Sequence, residues 1–495
     1  MLGKRPPVEP DAPPAPSHLP NQWNLDSPLI YLSQADPWTI RDACAGTSIF
    51  GATGSGKTTG SGQAIAKAFL RAGFGGLVLC AKPDERELWE HYAAQTGRTE
   101  DLAVFSAENP WRFNFLDYEL RRPGAGAGLT ENLVNLFIAV LETSERKGGS
   151  PSNQDYWNRA LKQLLRNAID IIVMARDALT LPDIYEVIVS APRSEDDLAN
   201  QAWWQTSACG IYLAHAEKRA ASLGRQNDYQ MASKYWLQEF PRHDERTRSN
   251  IVSTFTSMAD CFLRGTLHEL FCTSTNLIPE LTHEGAIIIV DLPVKEFNEL
   301  GQFAQVLWKY LWQRATERRR DPDRPVFLWA DEAQYFATSH DMLFQTTARS
   351  ARAATVYLTQ NIHNLYAVFG GEGRARSETE SLLGNLQTKI FHANADHGTN
   401  QWAAEIIGRD WQTRTSFNMG DGDSGKLGDV LRQHSQNHSM STSQHLEYVV
   451  QPRAFTTLRT GGPPNDCMVD GIVFQAGRMW STGRTHLQTA FHQNG

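Results

Sequence analysis

Gly51-Ala52-Thr53-Gly54-Ser55-Gly56-Lys57-Thr58 fits the pattern G-x-x-x-x-G-K-[ST] without a mismatch. Glycines there let successive backbone N–H groups curl around phosphate oxygens, an approach that a Cβ would obstruct. Ser48-Ile49-Phe50 ahead of it is a short apolar run, and Ala64 to Leu70 behind it continues at helical spacing. A strand, a glycine loop and a helix whose positive dipole end faces the same anion form a phosphate-binding unit. Chance would produce the eight-residue pattern on the order of once per hundred chains of this length, before any demand for a strand and a helix. Lys57 is expected to reach the β- and γ-phosphates and the Thr58 hydroxyl to bind Mg²⁺. Gly51, Thr53, Gly54, Ser55, Gly56 and Thr59 complete the expected cradle for ATP.

The second half of such a site is expected where a buried strand ends in acids. Val326-Phe327-Leu328-Trp329-Ala330-Asp331-Glu332 has that form. Asp331 would stand at the sheet's carboxyl edge and hold magnesium, and Glu332 would polarise the attacking water as general base. Thr355-Val356-Tyr357-Leu358-Thr359-Gln360 is a third strand, ending in an amide placed to sense the γ-phosphate. Arg349 and Arg352 just precede it, and Arg349 is the preferred arginine finger, offered to a neighbouring subunit's nucleotide.

Around these motifs the chain alternates strands and helices. Gly76 to Cys80 is a strand and Glu85 to Ala94 a helix, and strands return at Ala286–Leu292, Val326–Ala330, Thr355–Leu358 and Lys389–Ala393. Continuous apolar runs of this kind suit a parallel sheet buried on both faces. Between Lys57 and Asp331 the texture changes. Tyr156-Trp157, Leu161, Leu164-Leu165, Ala168 and Ile171-Ile172 recur at three- and four-residue steps, one stripe of an amphipathic helix. Thr180-Leu181-Pro182-Asp183 reads as the capped start of the next helix. Glu299 to Arg320 is a further long helix, and Ile472 to Ala490 suggests a closing β-ribbon. The expected class is therefore α/β: a P-loop nucleotide-binding domain over 28–125 and 271–495, interrupted by an all-helical insertion over 126–270. Residues 1–27, with seven prolines by Pro20, read as a flexible leader, and 409–446, polar and rich in Ser, Gln and His, as a loop.

Composition narrows the function. The chain has 495 residues, 41% of them hydrophobic and 21% charged, which excludes collagen, coiled-coil rods and wholesale disorder. With 47 basic against 55 acidic side chains the net charge is −8, against a role in coating DNA with the whole surface but compatible with a basic pore. Six scattered cysteines without a C-x-x-C pair read as reduced thiols. The longest apolar stretches fall far short of the ~20 residues a spanning helix needs, so a soluble, cytoplasmic protein is expected. His434, His438 and His445 lack supporting Cys or acids and read as a solvated polar loop. Arg318-Arg319-Arg320 suits the end of a helix dipole.

With these motifs in place, the chain resembles the coupling-protein ATPases of conjugation and type IV secretion (the TraG/TraD-like group), within the wider HerA/FtsK class of RecA-like ring motors. The resemblance runs over roughly residues 40 to 490. It is carried by the phosphate loop, Phe113-Asn114-Phe115-Leu116-Asp117, Asp155 to Leu161, Thr180 to Asp183, Val326 to Gln334, Thr359-Gln360-Asn361 and Thr388-Lys389-Ile390-Phe391. It implies a RecA-like nucleotide domain bearing an all-α domain, assembled as a ring (a hexamer) that hydrolyses ATP with Mg²⁺ and moves DNA. It also implies relaxosome or secretion-channel partners, the latter placing the protein peripherally at the inner membrane. Family members usually start with transmembrane helices, and none is visible here. Where the family often shows an aspartate and then K-G-E, this chain reads Cys80-Ala81-Lys82-Pro83-Asp84-Glu85, and no role is assigned to these residues. Two other functions fit the sequence: a soluble motor recruited to a nuclease in antiphage or antiplasmid defence, and an ATP-gated protein-binding platform with slow turnover.

Overall fold

The computed structural model describes residues 23–144, 151–320, 322–369, 372–420 and 437–493. The leader up to residue 22 and the centre of the polar stretch, 421–436, lie outside the described residues. The strands in chain order are β1 (Pro28–Ser33), β2 (Asp36–Thr39), β3 (Thr47–Phe50), β4 (Gly75–Leu79), β5 (Leu102–Phe105), β6 (Ile287–Val290) and β7 (Val326–Ala330). They continue with β8 (Ala353–Thr359), β9 (Thr388–Phe391), β10 (Arg409–Gly420), β11 (Asn437–Tyr448), β12 (Met468–Gln475) and β13 (His486–His492).

Nine of these form one sheet in the order β13-β12-β9-β3-β8-β7-β4-β6-β5. From β9 to β5 all seven strands are parallel, while β12 and β13 add an antiparallel ribbon on one edge. The runs of Ile, Val, Phe and Leu explain this directly, because side chains alternate between the two faces and both faces are covered. Ile287 and Ile289 of β6 and Phe327 and Trp329 of β7 enter one core with Trp38, Phe69 and Trp89. Ile288 and Val290, and Leu328 and Ala330, enter the other, with Trp308, Trp312 and the helices beyond them. The expected strands and the closing ribbon are present. The edge strand β5 and the hairpin β1–β2 escaped the sequence reading.

Between β5 and β6 the described residues are helical apart from a single bridge between Phe113 and Thr275. The helix Pro151–Arg176 buries Leu161, Leu164, Leu165, Ala168, Ile171 and Ile172, the stripe seen in the sequence. Thr180 caps the helix Leu181–Val189 reciprocally with Asp183. The helix Val294–Glu317 breaks at Asn298, whose backbone leaves helical geometry (φ 51°, ψ −129°), so its regular part starts at Glu299. Its Phe303, Val306, Leu307 and Leu311 are buried over the sheet.

One expectation needs correcting. Within 409–446 the described residues are not a loop: β10 and β11 pair in antiparallel register over twelve residues each, from Arg409↔Tyr448 to Gly420↔Asn437. Alternation, not apolar content, is the signal. Trp411 stands across from Leu446 on one face, and both are exposed.

Candidate nucleotide site

The loop after β3 hangs from the carboxyl ends of its two neighbours. Gly51 N–H donates to Thr359 O (3.3 Å) at the end of β8, and Ala52 N–H to Ala393 O (3.0 Å) just past β9. Gly54 and Gly56 take positive φ, 76° and 81°, which an L side chain rarely adopts. At Gly56 a Cβ would also meet Val469 of β12 at 2.5 Å. A wide π-type turn, Thr58–Gly62, opens the helix that continues as Gln63–Arg71.

Strand β7 lies two strands from β3, across β8, and delivers its acids to the same edge. Thr58 Oγ1 donates to Asp331 Oδ2 at 2.8 Å, across 273 residues of sequence. Lys57 Nζ stands 3.8 Å from Glu332 Oε1. All of Lys57, Asp331 and Glu332 are buried. A hydroxyl and a carboxylate converging on one point are hard oxygen donors of the kind Mg²⁺ prefers, so the residues present fit that ion.

Glu332 sits in the left-handed backbone region (φ 53°) and is held from several sides. Gln334 Nε2 donates to its Oε2 (2.8 Å) and Gln360 Nε2 to its Oε1 (3.3 Å). Gln334 is itself fixed by Thr359 Oγ1 (3.0 Å), and Asn394 Nδ2 bonds the Gln360 carbonyl (2.8 Å). Burial alone would raise the Glu332 pKa. The Gln334 bond, the charges of Lys57 and Lys82 and the Gln360 bond outweigh it and hold the carboxyl below its ordinary value.

Lys82, passed over in the sequence, belongs to this group. Its Nζ lies 3.3 Å from Glu332 Oε1 and 3.7 Å from Asp331 Oδ2. Burial works against its charge, but Asp331 and Glu332 prevail and its pKa is raised. Glu85 is buried behind it. Burial, with the Asp331 charge adding, pushes its carboxyl well above the usual range while Oε2 accepts from Ala81 N–H (2.8 Å). The segment following the acids is gripped by the helix Val294–Glu317: Lys295 Nζ bonds Tyr335 Oη, Gln302 Nε2 bonds Tyr335 O, and Lys309 Nζ bonds Phe336 O.

Other candidates lie apart. Arg349 is exposed at the end of the helix Ser339–Ala348, just before β8 begins. β8 runs parallel to β3, so its start lies ~20 Å, six steps of about 3.3 Å between its first and last residues, from the edge that carries the phosphate loop. Arg352 is engaged with the carbonyls of Trp23 and Asp323. Arg319 bonds the carbonyls of Ala351 and Arg324. Among the described residues no His, Cys, Asp and Glu group is arranged to hold a metal through three such side chains, and no helix is long and apolar enough to cross a membrane. His434 lies outside the described residues.

On the other side of β3 the site is flanked by the ribbon β12–β13. Gln493 Nε2 donates to Thr59 Oγ1 (2.7 Å), and Thr460 O and Val469 back the loop at Gly56. His392, buried, donates through Nδ1 to Asp470 O (2.7 Å), so its Nε2 accepts from Ser61 Oγ (2.7 Å). Burial lowers its pKa to about 4, so it is neutral.

Residues 325–459 match the family model described as the TraM recognition site of TraD and TraG. No curated protein matches the chain by sequence. Among solved structures the chain is similar to the bacterial conjugative coupling protein TrwBdeltaN70 in its unbound monoclinic form. That similarity has 13% identity and a TM-score of 0.62 over 94% of this chain and 88% of that one. The plasmid coupling protein TrwB with the GTP analogue GDPNP matches at 14% identity and 0.59, over 94% and 90%. TrwB with ADP and Mg²⁺ matches at 14% and 0.58, over 92% and 87%. At such identity the likeness establishes the fold: this is the α/β, RecA-like fold of the conjugative coupling proteins.

Proposed function

We propose that the chain is an ATP-hydrolysing motor of the coupling-protein type, which works as a ring, in a hexamer, and moves DNA or delivers a nucleoprotein substrate. The observation that carries the reading is the meeting of Thr58 with Asp331 at 2.8 Å, with Lys57 and Glu332 beside them. Two motifs 274 residues apart are brought to one edge of one sheet. The solved TrwB complexes with a GTP analogue and with ADP and Mg²⁺ support a nucleotide in the corresponding fold.

Lys57 would neutralise charge on the β- and γ-phosphates, while Thr58 and Asp331 would hold Mg²⁺, which when bound screens the phosphate charge. Glu332, kept ionised by Gln334, Lys57, Lys82 and Gln360, accepts the proton of the water that attacks the γ-phosphorus. Gln360 touches Glu332 and follows Thr359, whose carbonyl holds Gly51 of the loop, so its amide would report whether the γ-phosphate is present. Arg349 cannot reach its own chain's nucleotide from the far edge of the sheet. As a finger it must act on the next subunit, which makes catalysis depend on assembly. The match of 325–459 to a TraM recognition site extends the reading to a relaxosome-type partner.

Dilution tests the assembled motor. Specific ATPase activity with DNA present should rise with protein concentration and plateau as rings form, and Arg349→Ala should lower the plateau while preserving assembly. A specific activity flat across a wide concentration range, with monomers throughout, would contradict it.

A further inference from the structure

The sheet order gives the nucleotide site a direction. The acids of β7 lie two strands to one side of β3, and the antiparallel strand β12 lies two strands to the other. A triphosphate with its terminal phosphate between Lys57 and Glu332 would extend away from β7, its α-phosphate towards Thr59 and the ribbon β12–β13. Thr59, exposed in the first turn after the loop, is the side chain that meets that ribbon.

The contact has a defined polarity. Gly462 N–H donates to Gln493 Oε1 at 2.7 Å, and a backbone N–H can only donate, so the amide oxygen of Gln493 faces Gly462. Its NH₂ group therefore faces Thr59 and donates to Oγ1 at 2.7 Å. Gln493 is fixed further by its own backbone, with its N–H on Cys467 O (2.9 Å) and its carbonyl accepting from Gln63 Nε2 (3.0 Å). With Oγ1 already accepting from Gln493, the Thr59 proton is left to donate. We infer that Gln493 is a positioning residue that sets the Thr59 hydroxyl as a hydrogen-bond donor to the nucleotide's α-phosphate, making the ribbon β12–β13 part of the nucleotide site. The inference rests on the phosphate-loop reading above and adds to it a residue far from any motif.

Because ATP and ADP both carry an α-phosphate, the loss should strike both alike, unlike loss of a group that acts on the γ-phosphate. The test is equilibrium binding of Mg-ADP and of a non-hydrolysable Mg-ATP analogue, read by displacement of a fluorescent ADP. Thr59→Val and Gln493→Ala should each weaken both nucleotides by about tenfold or somewhat less, the scale of one hydrogen bond to a charged group. Thr59→Val with Gln493→Ala should be no worse than Thr59→Val alone, since both act through one hydroxyl. Gln493→Glu should be worse than Gln493→Ala, because a carboxylate takes the Thr59 proton for itself and adds negative charge. Thermal denaturation of the apo variants separates misfolding from lost binding, and the Glu-against-Ala order is a readout that mere packing would not produce. Additive effects, equal Glu and Ala variants, or loss confined to the triphosphate would overturn the inference. A Lys57→Ala protein that binds both nucleotides like wild type would instead overturn the phosphate-loop reading itself.

Discussion

Lys309→Met is the perturbation whose consequence the structure defines most fully. Lys309 and Asp341 form an ion pair at 2.5 Å with no exposure on either side chain. Asp341 also accepts from Thr338 N–H (2.6 Å), Gln313 Nε2 (2.6 Å) and Tyr357 Oη (3.0 Å). Burial alone would raise the Asp341 pKa, but the Lys309 charge and these bonds hold it below its ordinary value. Methionine fills the space of the lysine stem, so the change leaves the carboxylate buried without its counter-charge and little cavity. Removing one partner of a buried pair costs about 3–5 kcal/mol, which lowers Tm on the order of 10 °C for a domain of this size. The cost also has a pH signature. In the wild type, a depressed folded pKa contributes stability that is present above the unfolded value and lost as pH falls through the folded one. In Lys309→Met the sign reverses, with Asp341 raised above its unfolded value, so the deficit against wild type should be widest at pH 7–8 and narrow as pH approaches ~4. Urea denaturation followed by circular dichroism at pH 7.5 and 5 measures it. A deficit below ~1 kcal/mol, or one that grows on acidification, would mean that Lys309 is not what keeps Asp341 ionised. The pair matters to the site because Lys309 also holds Phe336 O, four residues past Glu332.

Glu332→Gln should cut the hydrolysis rate by roughly 10²–10⁴-fold, the worth of a general base, and leave ADP binding unchanged; a rate within tenfold of wild type would move the base elsewhere. Lys82→Ala removes a cation that helps keep Glu332 ionised, so the acidic limb of the kcat–pH profile should move to higher pH, and an unmoved limb would mean that Lys82 does not act on Glu332. Gly54→Ala meets nothing within 4 Å and should cost only its positive φ, ~1–2 kcal/mol. Gly56→Ala adds the Val469 clash, so its nucleotide affinity should fall further, and Val469→Ala should relieve that excess without restoring the wild type.

Much of the fold was legible because buried parallel strands advertise themselves. Val326 to Ala330 is five apolar residues ending at two acids, and the strand occupies those five residues. Leu102–Phe105 was missed because a four-residue edge strand with two half-buried positions has no comparable run. The hairpin β10–β11 was missed for a different reason. Trp411, Thr413 and Thr415 alternate with Gln412, Arg414 and Ser416, but the stretch is so polar that composition outweighed period. At the site, Lys57, Thr58, Asp331 and Glu332 are readable because each motif is local, and the structure brings them together. Lys82, Gln334 and Gln493 are not, since their roles exist only after β4, β7 and β13 have been placed around β3. Arg349 stands at the opposite end of β8 from the phosphate loop, so its proposed role as a finger requires a neighbouring subunit.

A DNA-responsive ATPase is the core of the proposed function, and it is tested by the ATPase rate of the wild type and of Lys57→Ala, each without DNA, with single-stranded DNA and with duplex. DNA should strongly stimulate the wild type, and Lys57→Ala should show no activity under any condition. A wild type that binds ATP and hydrolyses it at the same slow rate with or without either DNA would contradict the proposed function and leave a protein-gated platform in its place.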